Sequence, residues 1–514
     1  MTFPKSLRIA AVVAAGAVAL TSCSSGGGES AAPGTGSGGR GGTLTLGVWN
    51  EPRSWDPGQA HVGHGLQPFQ LAYDTLILRE PDGSLSPMLA TAWEYTDDAR
   101  TTFSLDLRTD VTFSDGAAFD AEAVKANVEH FKTANGPQQS QLADVSAVTV
   151  VDQDTVELSL SRPNPALEYY LSQAAGLMGS PEQLGSEGMT RVPAGTGPYV
   201  MDPASSVAGS QYTFTAREGY WNADLQKWDE IVLKPLTDGT ARVNGLVSGQ
   251  IDATLLDPRT AAQAEGAGMT LLPYEVDWSG MLLFDRDGAL VPALADVRVR
   301  QAVNHAFDRE ALLEQTWGGY GTPTSQVFGP DSGAYDEELE GTYDHDPERA
   351  RELLAEAGYA DGITVQLPLT PILEPVAPFV TQQLADVGIT VEQVPVPVQN
   401  LVTDVAAARY PAAIYSLFQG PAWVAVQQMI STDAVFNPFD TAPAEVQELV
   451  ETVRAGGEGA EDAAREINRY VTENAWFAPW YRAENVYAVN DRVSVEPTQG
   501  QAVPSIYSYT PASA

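Results

Sequence analysis

Histidine, cysteine and tryptophan have the most specific chemistry in this chain, and they are few: 5 His, 1 Cys and 10 Trp in 514 residues. His61 and His64 form H-x-x-H, a spacing at which two imidazoles on one helix face can share a metal ion. A third ligand is missing nearby, and His130, His305 and His345 are scattered. The pair therefore reads as solvated loop histidines, and neither a metal nor a cofactor is expected. H-E-x-x-H, a nucleophile elbow, a P-loop and a zinc-binding cysteine cluster do not occur in the sequence. Acids abound, but sequence alone cannot set two of them at the separation a glycosidase dyad needs. No enzymatic activity is expected. What remains is non-covalent recognition, which needs aromatic walls and a few placed polar groups. Trp49, Trp55, Trp278, Phe284, Phe418 and Trp423 fall in expected rim loops, with Asn50, Asp285 and Gln419 beside them as hydrogen-bonding candidates. Trp49, Phe418 and Trp423 stand out because each follows an expected strand, and open α/β sheets bind ligands beyond the carboxyl ends of their strands.

The elements that carry these residues follow from periodicity. Leu44, Leu46 and Val48 alternate and predict a strand. Phe103, Leu105 and Leu107, then Val111 and Phe113, predict a hairpin about Thr109-Asp110; Val148 to Leu160 predicts another about Asp152-Gln153-Asp154. Asp120, Asp296 and Asp346 can each cap a helix, the last with Pro347 at the first helical position. Ile363 to Leu367, a helix near Val376 to Val387 and Ile389 to Val394 alternate strand and helix, as α/β lobes do.

The first 42 residues read as an address. Lys5 and Arg8 precede an apolar run, Ile9 to Leu20, too short to span a bilayer. Leu20-Thr21-Ser22-Cys23 resembles a bacterial lipobox, in which the chain is cut before the Cys and its sulfur is lipidated. Residues 1–22 are then a signal peptide, and 23–42 a lipidated Cys23 and a flexible Ser/Gly linker. Cys23 is the only thiol, so no intramolecular disulfide can form. The mature chain of about 490 residues exceeds one hydrophobic core, and two or three lobes are expected. The net charge of −39, from 67 acids and 28 bases, excludes a nucleic-acid partner, which would need basic contacts.

A set of motifs in order carries a resemblance: Gly41-Gly42-Thr43-Leu44-Thr45-Leu46, Tyr73-Asp74-Thr75-Leu76, Pro87-Met88-Leu89-Ala90, Phe113-Ser114-Asp115-Gly116, Gly195-Thr196-Gly197-Pro198-Tyr199, Gly249-Gln250-Ile251-Asp252-Ala253, Asp296-Val297-Arg298-Val299-Arg300-Gln301-Ala302 and Gly358-Tyr359. The chain resembles the extracellular solute-binding proteins of the peptide/nickel type, family 5, that serve ABC importers. The resemblance implies an α/β, periplasmic-binding-protein-like fold: two α/β lobes with a cleft, plus an inserted third lobe. Lobe I would comprise 43–75, 196–284 and 480–514, lobe II 76–195 and lobe III 285–479. Glycines 195 and 197 would give backbone freedom at a lobe crossing, and Arg298 and Arg300 would tie helix to sheet. The implied partners are an oligopeptide or other small-molecule solute, ABC permease subunits, and the membrane through a lipid anchor on the extracytoplasmic face; a monomer is expected. Peptide binders of the family carry an acid after the strand that here ends near Phe418, and it grips the ligand amine. No acid occurs between Tyr415 and Gln428, so a neutral or blocked solute, or a peptide held through its backbone, fits that segment better. The alternatives are a peptide sensor on the same scaffold, nickel-chelate binding, or a secreted enzyme.

Overall fold

The computed structural model describes residues 40–512; the expected signal peptide, Cys23 and the expected linker up to residue 39 lie outside the described residues. Leu44 and Leu46 are fully buried, and the strand they make, Thr43–Val48, runs parallel between Glu230–Pro235 and Ala253–Leu256. This is the middle of a nine-stranded mixed sheet. On one side it continues antiparallel into Tyr212–Ala216 and Tyr199–Met201. On the other it continues through Phe477–Val489 and Thr270–Leu283 to Ala412–Phe418.

Two of these strands are far longer than the usual five or six residues: Thr270–Leu283 has 14 and Phe477–Val489 has 13. They pair along their length and feed more than one core. Val486 and Ala488 pack with Val243, Leu246 and Ile251. Met281, Leu283, Ala478 and Trp480 pack with Val299, Val303 and Phe307 of the segment that follows. Between these ends the register shifts twice, at Glu275/Asp277 and at Ser279/Gly280. A bulge leaves a residue unpaired and bends the strand, so the ladder turns where it passes from one core to the next.

The other layers attach at the ends of this ribbon. A four-stranded antiparallel sheet, in the order Ala90–Tyr95, Thr102–Leu107, Thr155–Leu160 and Val145–Val150, packs with the helix Ala121–Thr133. Beyond Leu283 come the helices Val297–His305, Pro347–Glu356 and Ala377–Asp386 and the parallel pair Ile363–Leu369 and Ile389–Pro395. The caps form as expected: Asp120, Asp296 and Asp346 each accept a backbone N–H of the first helical turn.

Two local expectations change. Thr102–Leu107 pairs with Ala90–Tyr95 and Thr155–Leu160, so both of its edges are taken and the expected hairpin with Val111 and Phe113 does not form. Those two side chains are buried instead in a turn closed by the Thr112–Ala118 bridge. Gly195 and Gly197 do not take a left-handed conformation; they are glycines for lack of space. A Cβ on either would collide with the backbone at Ala72. Arg300 binds the carbonyls of Leu294, Ala295 and Asn474, tying its helix to neighbouring turns, whereas Arg298 holds its own cap Asp296 and the carbonyl of Glu356.

Candidate functional site

A cavity of about 370 Å3 opens beside the first bulge of the long ribbon. One wall is the hairpin Ile77–Arg79/Leu85–Pro87, bringing Arg79, with Tyr169 from the segment after Thr155–Leu160. The opposite wall is the end of the strand Ala412–Phe418, bringing Phe418 and Gln419, and the loop at Gly329. Glu275 and Val276 form the back, and Gln499 and Gly500 a third side. Strand direction explains the placement. Asp277 pairs with Phe418 in the ladder, so the carboxyl end of Ala412–Phe418 arrives where Thr270–Leu283 bulges.

The walls touch one another across the cavity. The rings of Tyr169 and Phe418 stack at 6.2 Å with 19° between planes. The Tyr170 hydroxyl donates to Gln427 Oε1 at 3.0 Å, and Arg162 reaches from Asp144 at 2.7 Å to Asp433 at 3.3 Å. Glycines make this closeness possible: a Cβ on Gly329 would lie 2.7 Å from Gln419 Oε1, and one on Gly420 would strike the Phe418 ring.

The polar groups fall into two kinds. Glu275 is committed: it accepts from Arg482 Nε at 2.9 Å and from Thr322 at 2.7 Å, while Arg482 also reaches Glu340. Others have buried atoms without a protein partner. Arg79 lies over the Tyr169 ring at 4.7 Å and donates to the Gly500 carbonyl at 3.3 Å, but its Nε has no partner, and neither has the Gln419 carbonyl oxygen. Behind Gln419, the Tyr415 hydroxyl and the Trp423 indole N–H are also buried without partners. A buried polar group without a partner costs about 1–3 kcal/mol, and a solute with matching groups recovers that cost. Asp277, the ladder partner of Phe418, is only partly buried and lies outside the cavity lining. Burial alone pushes its carboxyl up to about 6. The Tyr169 phenol is also pushed up by burial, with Arg79 opposing the shift and Asp277 adding to it.

Of the residues singled out in the sequence, only Phe418 and Gln419 line this cavity. Trp423 lies one turn further on, 4% exposed, in the helix Ala422–Met429 beneath Arg454. Trp55 is core, packed on Phe69, Tyr212 and Phe214. Trp278 and Phe284 are wholly buried, Trp278 against Phe477. Asp285 is also fully buried, and its carboxylate is spent on the backbone N–H groups of Ala289, Leu290 and Val291 at 2.6–2.8 Å. It shapes a loop.

Trp49 and Asn50 belong to a different place. Asn50, Arg53, His61, His64 and Phe69 line a second cavity of about 680 Å3, and Trp49 sits edge-on to His64 at 4.7 Å. Burial, then Arg242 and His61, hold the His64 imidazole down at about 4, so it is neutral at physiological pH. Among the described residues no three His, Cys, Asp or Glu side chains gather for a metal ion.

Arg79, Tyr169 and Gly500 also line this cavity, and nothing in the sequence had singled them out.

Comparison with known proteins gives this geometry a context. The family described as bacterial extracellular solute-binding proteins, family 5, middle region, matches residues 84–434. The glutathione-binding protein GsiB of Salmonella paratyphi A is 32% identical over 329 residues, 62% of each chain. GsiB of Salmonella typhimurium is 31% identical over 326 residues. The alignment thus spans 62% of the length of these curated relatives. In shape, NikA of Brucella suis, solved with Fe(III)-EDTA, superposes with a TM-score of 0.79 at 21% identity, covering 91% of this chain and 99% of its own. AgaA of A. tumefaciens, solved with agropinic acid, gives 0.76 at 23%, covering 92% and 99%. DppA of Helicobacter pylori, solved with the peptide STSA, gives 0.76 at 18%, again covering 92% and 99%. These likenesses establish an α/β fold of the periplasmic-binding-protein type.

Proposed function

The chain belongs to the bacterial extracellular solute-binding proteins of family 5, and on that premise we propose that it captures a small solute, a short peptide foremost, for an ABC importer. The observation that carries this reading is the cavity beside the bulged ribbon, walled by Arg79 and Tyr169 on one side and by Phe418 and Gln419 on the other. In this reading 43–75, 196–284 and 480–514 form one lobe, 76–195 an insertion and 285–479 the opposing lobe. The two long strands are the hinge between them. Opening would separate Tyr169 from Phe418 and Tyr170 from Gln427; solute bound between the walls favours the closed form by its greater affinity for it. The relatives' names point to glutathione, peptides and metal chelates as cargo in the family. Peptide-like cargo suits a wall that offers aromatic faces and unpartnered amide and guanidinium groups.

Delivery to a permease needs the protein held at the membrane, and Cys23 is the proposed anchor. The tether raises the effective concentration at the permease. No chemical step is assigned to the protein; ATP hydrolysis belongs to the transporter. The test is native mass spectrometry of protein freshly purified from its host. A 1:1 complex with a small organic solute is expected, together with a smaller radius of gyration than the emptied protein. Absence of any co-purifying or competing solute, with no change in radius across a peptide screen, overturns the proposal. Cys23→Ala should release the protein to the medium with solute affinity unchanged.

A further inference from the structure

We infer that Arg482, which lies outside the cavity lining, is a positioning residue: its guanidinium fork fixes the back wall of the cavity relative to the wall formed by residues 329–331. This rests on the reading that the cavity beside Phe418 holds the solute.

Position comes first. Arg482 pairs with Trp278 on one side and with Thr322 on the other, in the short stretch of ladder between the two register shifts. Its side chain is 7% exposed. The guanidinium Nε donates to Glu275 at 2.9 Å, and Nη1 donates to Glu340. Glu275 belongs to the back wall. Glu340 stands at the far end of the loop that starts at Thr324 and carries residues 329–331 to the cavity. It also accepts from the Thr324 hydroxyl at 3.0 Å and from the Ser325 N–H at 3.3 Å. One buried cation therefore joins the ribbon to both ends of a wall-forming loop.

The loop can transmit that contact because it is braced as a unit. The Gln326 amide donates to the Asp336 carbonyl and accepts from the Asp336 N–H, and Asn468 of the helix Ala460–Glu473 donates to Gln326 and to the Ala334 carbonyl. Tyr335, inside the same loop, places its ring under the Arg482 guanidinium at 5.8 Å.

The chemistry asks for an arginine. Glu275 and Glu484 stand opposite each other in the ladder, a like-charge pair that is unfavourable without compensation. Any cation bonded to Glu275 would supply the compensation. Holding two carboxylates on separate segments in a fixed relation needs more: a planar group with diverging donors, which a guanidinium has and a lysine ammonium on its flexible stem lacks.

The experiment separates charge from geometry with Arg482→Lys in the full chain. Lysine keeps the cation and loses the fork. The variant should unfold near the wild-type temperature, while the backbone amides of residues 327–336 exchange hydrogen about tenfold faster and those of Thr155–Leu160 are unchanged. A pool of di- and tripeptides should bind it about tenfold more weakly in calorimetric titration. Wild-type exchange and affinity in Arg482→Lys overturn the inference, because charge alone then suffices. Faster exchange throughout the chain also overturns it, because Arg482 then serves stability in general. Glu340→Ala keeps the Arg482–Glu275 bond and frees only the loop end; it should reproduce the faster exchange of residues 327–336, and it decides if Arg482→Lys does not fold. Failure of both variants to fold overturns the inference. Exchange is measured without solute, so if the wild type binds no member of the pool, exchange still decides the role of Arg482 and the missing affinity counts against solute capture alone.

Discussion

Two carboxylates in this protein, Asp74 and Asp277, are both pushed up to about 6, with burial the leading cause in each. Their surroundings differ completely. Asp74 accepts from the hydroxyls of Tyr220 and Tyr507 at 2.9 and 3.0 Å and from the Trp221 indole at 2.9 Å. Arg217 adds a favourable charge, and the Asp74 backbone N–H donates to Thr196. Asp74, by its carboxylate and its backbone N–H, thus ties together the segments at 74, 196, 220 and 507, which lie far apart in sequence. Asp277 is only partly buried, and among the described residues no protein group donates to its carboxylate. A shifted titration is therefore common to a structural knot and to an unoccupied charge; the count of donors around the group tells them apart. Buried polar networks are stabilising when every member is satisfied and costly when one is not.

The comparison breaks most directly on stability. Asp74→Ala strips the acceptor from three donors held in the interior, and each orphaned donor costs about 1–3 kcal/mol. A loss of about 3–5 kcal/mol in the urea unfolding free energy is expected, enough to threaten folding. Asp277→Ala removes a group that nothing in the protein binds, and its loss should stay within about 1 kcal/mol. Equal losses for the two variants would show that donor count does not separate their roles.

A second test sharpens the comparison through pH. An acid whose folded pKa lies above its unfolded value of about 3.9 binds more protons in the folded state, so its contribution to stability falls as pH rises through that window, up to about 6. Asp277→Asn removes one such group. At pH 7 the variant should be more stable by no more than about 1 kcal/mol, since the side chain is partly solvated; at pH 4 the advantage should vanish. Urea titrations at both pH values check this. An advantage independent of pH would mean that the aspartate is not the titrating group.

How much of this could be read from the chain alone follows from where information lies. The strands at Thr43 and Ile363, the capped helices and the family motifs were legible because periodicity and cap chemistry are local. Phe418 and Gln419 line a cavity at a strand end, the place where α/β sheets bind ligands. Trp55, Trp278 and Phe284 pointed to the site by residue type and went into the core, because a large apolar ring is as useful for packing as for a wall. Trp49 and Asn50 also follow a strand, but a different cavity forms there. Arg79, Tyr169 and Asp277 meet only because a bulged ladder sets residue 277 opposite residue 418 and a separate segment folds over both. Register across about 140 residues of intervening chain leaves no pattern that a single sequence displays.

The smallest expected effect concerns a third acid, Asp433, which completes the contrast from the exposed side. Its side chain is about half exposed, and it is held below the usual carboxylate range by Ser431 first; burial opposes this, and Arg162 and Arg454 add to the lowering. The sign is opposite to that of Asp74 and Asp277: its contribution is present above the unfolded pKa and is lost as pH falls through the folded one. Arg162 links it to Asp144 across the closed walls, so the pair acts as a latch between the segments at 144–162 and 433. An exposed ion pair of this kind contributes about 0.2–1 kcal/mol and is screened by salt. Asp433→Ala keeps the Arg162–Asp144 bond and removes the bridge, together with the exposed contacts of Asp433 to Ser431 and Arg454. Solute affinity should therefore weaken by no more than about fivefold at low salt, and the difference from wild type should disappear near 1 M salt, where the screening length is about 3 Å. Calorimetric titration of one bound peptide at both ionic strengths measures it. A tenfold or salt-insensitive loss would make Asp433 part of the solute site and would place the boundary between latch and ligand wall on the far side of Gln427.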